Sequence, residues 1–307
     1  MKILITGGTG MVGSAFKKVK TDHKLILVGS DDYDLRYGSD CRCMIADHQP
    51  DAIIHLAAKV GGIKGNTDYV ADFFQENIIM NTNLLDAAKN QNIEKVVSLL
   101  STCIYPDKPT YPLTEDQIHS GEPHSSNFGY AYAKRMLDIH SRAIRKQYGL
   151  NYVTAVPNNI YGKNDNFDLD NGHVIPAIIR KIYEAKSTNT VPSFWGSGRS
   201  LREFTYSEDI ARALIKVCEQ YDNESPINIG RTGEISIWTV VRSVCNILEY
   251  DGDILWDKDK PEGQYRKPSD NSIFKENFPN FKYTDFKEGL ESTCKWFVES
   301  YPQVRGV

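Results

Sequence analysis

The chain has 307 residues, 40% of them apolar and 25% charged, enough to bury a substantial core in one large or two modest domains without help from disulfides. Lys plus Arg number 36 against 40 Asp plus Glu, and the net charge of −4 excludes a protein built mainly to neutralise a nucleic-acid backbone. No apolar run approaches the ~20 residues of a membrane span, and six cysteines show no disulfide-dense framework, so a reducing cytoplasm is expected, with neither membrane nor nucleic acid as a partner.

The opening segment MKILITGGTG reads as a strand entering a glycine turn, without the length or flanks of a signal peptide. Short β-branched runs then alternate with helical patterns. Strands are expected at 2–6, 24–28, 52–56, 95–100 and 152–156, and helices near 11–19, 69–90 and 130–148. Apolar runs this continuous require helices on both faces of the sheet. The expected fold is therefore α/β, a Rossmann-type doubly wound parallel sheet with a second, smaller mixed α/β domain. After Pro157 come a loop-rich stretch at 158–172, a helix near 174–185 and a glycine-rich turn at 195–200. Residues 1–160 are expected to form the dinucleotide-binding domain, which the chain re-enters near 204–225, and residues 161–307 mainly the substrate-binding domain. Cys41 and Cys43 lack a second pair at zinc-site spacing, so no metal is expected.

Gly7, Gly8, Thr9, Gly10, Met11, Val12 and Gly13 follow the first strand directly and open a helix. Glycines at positions 7 or 8, 10 and 13 let backbone N–H groups and a helix N-terminus approach a pyrophosphate, where a Cβ would intrude. The end of the second strand decides whether the ribose carries a 2′-phosphate, because an acid there binds the 2′-hydroxyl and a base prefers the phosphate. Both signals are present: Asp31 suits NAD, whereas Ser30 with Arg36 suits NADP. These residues leave the two open.

Ser101 follows the fourth strand, and Tyr130 and Lys134 lie four apart on one face of a helix. The pattern Ser…Tyr-x-x-x-Lys is that of a carbonyl reductase. A cation beside the phenol is expected to lower its pKa from about 10, so that Tyr130 can exchange a proton with the carbonyl oxygen while Ser101 hydrogen-bonds it. Cys103 stands two residues past Ser101, on the same side if the strand end is extended, where a thiolate can take a proton from the carbon next to the carbonyl. His173, at the start of a helix, can supply a proton from the other face. On the residues alone, buried packing for Cys103 and a polar helix start for His173 are the stronger accounts of these two residues.

The segments 7–13, 55–62, 100–106, 127–134, 157–162, 165–167, 173–176, 195–198 and 202–204 together resemble the GDP-L-fucose synthases, the GDP-4-keto-6-deoxymannose 3,5-epimerase/4-reductases of the extended short-chain dehydrogenase/reductase family. The likeness runs from the N-terminus almost to the end. It implies that Cys103 and His173 are base and acid for epimerisation at sugar C3 and C5. Ser101, Tyr130 and Lys134 would then carry the C4 reduction by NADPH. It further implies cofactor contacts at Pro157, Asn158, Asn159, Ile160 and His173 beside the glycine turn, and substrate contacts at Lys181, Trp195, Arg202 and Glu262. It also implies a homodimer paired through helices that include 130–148. Lys181 and Glu262 stand where the family carries Arg and Asp, and Asp31 where it tends to be basic, so NADP(H) is favoured and NAD(H) stays open. A 4,6-dehydratase would carry an acid at Thr102 or Cys103, a simple 4-epimerase would not need Cys103 and His173 together, and a non-catalytic dinucleotide sensor would lose Tyr130 or Lys134.

Overall fold

The computed structural model describes residues 1–260 and 264–307. The strands, in chain order, are β1 (Lys2–Thr6), β2 (Lys24–Val28), β3 (Ala52–His55), β4 (Lys95–Leu99), β5 (Asn151–Pro157), β6 (Asn159–Tyr161), β7 (Ser193–Trp195), β8 (Leu201–Arg202), β9 (Phe204–Tyr206), β10 (Ile227–Ile229), β11 (Ile235–Ser236) and β12 (Leu255–Asp257). The helices are α1 (Met11–Ala15), α2 (Gly38–His48), α3 (Ile63–Asp68), α4 (Val70–Asn90), α5 (Phe128–Tyr148), α6 (Val174–Thr188), α7 (Ser207–Gln220), α8 (Ile237–Ile247), α9 (Ser272–Asn277) and α10 (Phe286–Ser300).

Six strands form one parallel sheet in the order β10-β5-β4-β3-β1-β2. Successive side chains of a strand point to opposite faces, and here both directions are buried. Ile3, Ile5, Ile54 and Val97 join a core closed by α1, α7 and Phe274. Leu4, Ile53 and Val96 enter a second core, under α2, α4 and α5. That double cover is why the strands read as unbroken apolar runs rather than alternating ones.

A third core, around Phe167, Ile179, Phe204, Val241 and Phe297, unites α6, α8 and α10 with the short strands of the second half. These strands pair two by two: β6 with β9, β7 with β12 and β8 with β11. Two expectations shift locally. The helix drawn over 11–19 ends at Ala15 and tightens into a 3₁₀ turn, and the fourth strand stops at Leu99. Thr102–Ile104 is itself a 3₁₀ turn with Ser101 at its start, so Ser101 and Cys103 do not sit on an extended strand end.

Candidate active site

The C-terminal ends of the sheet strands open onto a cavity of about 860 Å³. A crevice outside the carboxyl ends of parallel strands is where such folds bind ligands. Gly7 stands at φ +69°, a conformation side chains resist, and a Cβ there would lie 2.8 Å from Ala57 N. At Gly13 a Cβ would sit 2.2 Å from Gly7 O, so the turn closes only with glycine at that place. The N–H groups of the first turn of α1 have no acceptor within the helix. Gly7, Thr9, Gly10, Met11, Val12 and Gly13 all line the cavity, as do Ser30, Arg36, Lys134, Pro157, Asn158, Asn159, Ile160 and His173. Gly8 does not. Its N–H bonds Val28 O at 2.8 Å, and its missing side chain lets β2 pass, since a Cβ would meet Leu27 Cβ at 2.7 Å. A cradle of this shape fits the pyrophosphate of a dinucleotide.

Arg36 is engaged rather than free. Its Nε lies 3.0 and 3.1 Å from the two oxygens of Asp34, its Nη2 donates to Asp34 Oδ2 at 2.7 Å, and its Nη1 stands 3.5 Å from Glu76. A 2′-phosphate held by Arg36 with Ser30 would share the guanidinium with carboxylates that already engage it.

Tyr130 and Lys134 share the cavity-facing side of α5, with Lys134 Nζ 5.9 Å from the centre of the phenol ring. Lys134 donates to Leu99 O at 2.8 Å, and burial lowers it to about 8. The expected fall in the Tyr130 pKa is not found. Burial holds the phenol well above its ordinary value, and the nearby Cys103 pushes the same way. The tyrosine thus keeps its proton across the neutral range, the state required of a donor to a carbonyl oxygen. Beneath Lys134, His55 is buried between Thr6 Oγ1 at 2.8 Å and Asn81 Oδ1 at 3.0 Å. Burial first, then Lys134, takes this imidazole down to about 3, so it adds no charge to the floor of the site.

Ser101 lines the cavity; Cys103 is partly buried just beyond the lining residues. Burial raises its thiol pKa, and the Ser101 hydroxyl, then Lys267, then Lys134 oppose the rise. His173 caps the start of α6 from extended backbone and is exposed on the cavity wall. Loss of hydration to the surrounding protein lowers its pKa, and Arg305 adds to the effect. Asp165 lines the same wall with Oδ2 buried and unpartnered, and burial raises it to about 7.

The substrate residues expected from the sequence lie beyond this cavity, in the smaller half. Lys181 on α6 donates to Ser193 O at 2.9 Å, Trp195 on β7 is exposed, and Arg202 on β8 donates to Leu201 O at 2.7 Å. Glu262 lies outside the described residues. Between the two groups stands Lys267, which no sequence pattern singled out. Its segment is pinned on both sides: Leu201 N donates to Tyr265 O at 2.8 Å, Leu113 N to Pro268 O at 2.9 Å, and Ser269 N and Oγ to Glu203 Oε2 at 2.9 and 2.6 Å. Lys267 is set among Cys103, Arg202 and Asp107, and burial lowers its pKa. Among the cavity-lining residues, Asp34, Glu76 and Arg305 were given no role from the sequence.

The model of the NAD dependent epimerase/dehydratase family matches residues 3–230. The chain belongs to this family. Within the epimerase/dehydratase family it is 40% identical to a GDP-L-fucose synthase of Dictyostelium discoideum, over 99% of this chain and 97% of that one. It is 38% identical to a GDP-L-colitose synthase of Yersinia pseudotuberculosis, over 97% and 98%. Among solved structures, a GDP-L-fucose synthetase from Naegleria fowleri bound to NADP superposes with a TM-score of 0.93 at 37% identity, covering 99% of this chain and 95% of that one. No helix among the described residues is long and apolar enough to cross a membrane.

Proposed function

We propose that the protein is a bifunctional GDP-L-fucose synthase that epimerises GDP-4-keto-6-deoxy-D-mannose at C3 and C5 and then reduces the C4 ketone with NADPH. The observation that carries this reading is the meeting of two sets of residues at one place: the Ser101, Tyr130 and Lys134 of a carbonyl reductase on one cavity with His173, and a thiol, that of Cys103, whose backbone N–H donates to Ser101 Oγ at 3.4 Å. A 4-keto group makes both sets useful. It acidifies the neighbouring C–H bonds, because the carbanion left behind is delocalised onto oxygen, and it later accepts hydride.

When bound, the nicotinamide supplies that hydride. The residues of the chain do the rest. Ser101 and Tyr130 hold the C4 oxygen, and Tyr130 gives it a proton. Lys134 orients the nicotinamide ribose. Cys103 as thiolate takes the proton from carbon, and His173 returns one from the opposite face. Lys267 favours the thiolate and, with Arg202, meets negative charge on the substrate side, where Arg202 suits the diphosphate. Trp195 suits stacking on the base or sugar, and Lys181 and Glu262 complete the substrate contacts. Residues 1–160, with the return near 204–225, hold the cofactor; residues 161–307 mainly hold the nucleotide sugar.

A second reading, synthesis of GDP-L-colitose, is favoured by the similarity to the Yersinia relative. Incubation with GDP-4-keto-6-deoxymannose and NADPH, with the product identified by NMR, separates the two. GDP-L-fucose is the expected product; an unchanged substrate would end the first reading.

The protein acts in the cytoplasm as a homodimer in this reading. Phe74 on α4 and Phe128, Met136 and Ile139 on α5 leave large apolar side chains exposed on adjacent helices, a face that pairing would cover. Sedimentation at micromolar concentration should give twice the chain mass of 34.7 kDa; a monomer would refute the dimer.

A further inference from the structure

We propose that the adenosine-ribose end of the cofactor cleft accepts NADH and NADPH with comparable affinity, because carboxylates already answer the cations that a 2′-phosphate would use. The inference rests on the reductase reading of the cleft and concerns which nicotinamide cofactor that cleft selects.

The turn after β2 fixes the local geometry. Gly29 N donates to Asp32 Oδ2 at 2.8 Å, and Asp32 N and Tyr33 N donate to Gly29 O, each at 3.2 Å. Asp32 is thereby spent on the turn, and Ser30 and Asp31 are left exposed at the cavity. Asp31 has no hydrogen-bond or ion-pair partner among the described residues, so its carboxylate is available to a ribose hydroxyl. Arg36 is held by Asp34 through both Nε and Nη2, and Asp34 also accepts from Arg36 N at 3.0 Å. Its remaining Nη1 faces Glu76, and Glu76 in turn holds Lys59. All five charged residues line the cavity. Two cations stand against three carboxylates, one negative charge in excess.

A phosphate monoester brings roughly −1.5 to −2 charges. Entering this end, it meets Asp31 without a partner and a guanidinium whose best edge is already paired. NADH meets neither cost and gains a contact from Asp31 to the 2′-hydroxyl. The site does not bar NADPH, however. The Arg36 side chain is 51% exposed, and an ion pair open to water changes partners readily. Arg36 can turn from Asp34 to the phosphate, and the Ser30 hydroxyl can join it. The two effects oppose each other, and the outcome is tolerance of both cofactors.

The test is binding by the whole protein without sugar, followed by calorimetry or by quenching of tryptophan fluorescence. Dissociation constants for NADPH and NADH are expected to fall within about tenfold of each other. Asp31→Asn should tighten NADPH and weaken NADH; Asp34→Asn, which releases Arg36, should tighten NADPH alone. A preference of more than about tenfold for either cofactor in the unaltered protein overturns the proposal, as does an Asp31→Asn variant whose preference is unchanged. Failure to bind either cofactor would instead overturn the reading of the cleft on which the proposal rests.

Discussion

Replacing Tyr130 by Phe should lower the rate of C4 reduction by roughly 10²–10⁴-fold, the usual weight of a positioned proton donor, while solvent-deuterium uptake at C3 and C5 continues. The phenol stands on α5 beside the cofactor cavity and has the hydroxyl from which a carbonyl oxygen would draw its proton. Phe keeps the ring, and with it the edge-to-face contact to Phe73 at 6.5 Å, so the variant should fold. Burial holds the Tyr130 pKa above its ordinary value. A raised phenol pKa keeps the acid form dominant as pH rises, so reduction should show no loss assignable to this group up to about pH 9. Undiminished NADPH oxidation by Tyr130→Phe would remove it as the donor.

The second large effect is expected at Cys103. Cys103→Ser should slow exchange at C3 and C5 by roughly 10²–10⁴-fold, because an alcohol is far harder to ionise than a thiol. Burial raises the Cys103 pKa and so disfavours the working thiolate; Ser101, Lys267 and Lys134 oppose that rise. Lys267 is the strongest of the cations acting on the sulfur, which makes it a positioning residue with its own signature. In Lys267→Ala the thiol should ionise only at higher pH, moving the rising limb of the exchange–pH profile upward, and Lys267→Arg should restore part of the shift. A merely structural lysine would change the stability and leave the profile in place. Full exchange in Cys103→Ser would sink the thiolate as the base.

Much of the cofactor half was legible because its rules are local. Gly7 and Gly13 are dictated by a turn that admits no Cβ, and Tyr130 and Lys134 by a spacing that puts both on one helix face. The long amphipathic helices and buried strands carried the sheet for the same reason. What stayed hidden depends on distant parts of the chain. Arg36 reads as a phosphate ligand, but the Glu76 that also faces its guanidinium comes from α4, forty residues further on. Lys267 and Arg305 sit in irregular segments near the end of the chain, where no periodicity marks them. They reach the site through bonds such as Ser269 to Glu203 and Arg305 O to Phe167 N. The sign of the Tyr130 shift was also out of reach, since adjacency of a lysine is visible in a sequence and the burial that raises the phenol is not.

The sheet that holds the glycine turn is finished late. Strand β10, paired to β5 through Ile227, Asn228 and Ile229, seals an edge that would otherwise present the unpaired backbone of residues 155–157. As the chain emerges during synthesis, some seventy residues must follow β5 before that edge is covered, counting from Pro157 to Ile229. Bare strand edges invite pairing with other chains. The nascent cofactor half is therefore most exposed to misassembly while its intended neighbour is still being made, and a truncated product ending near residue 160 would carry that hazard permanently.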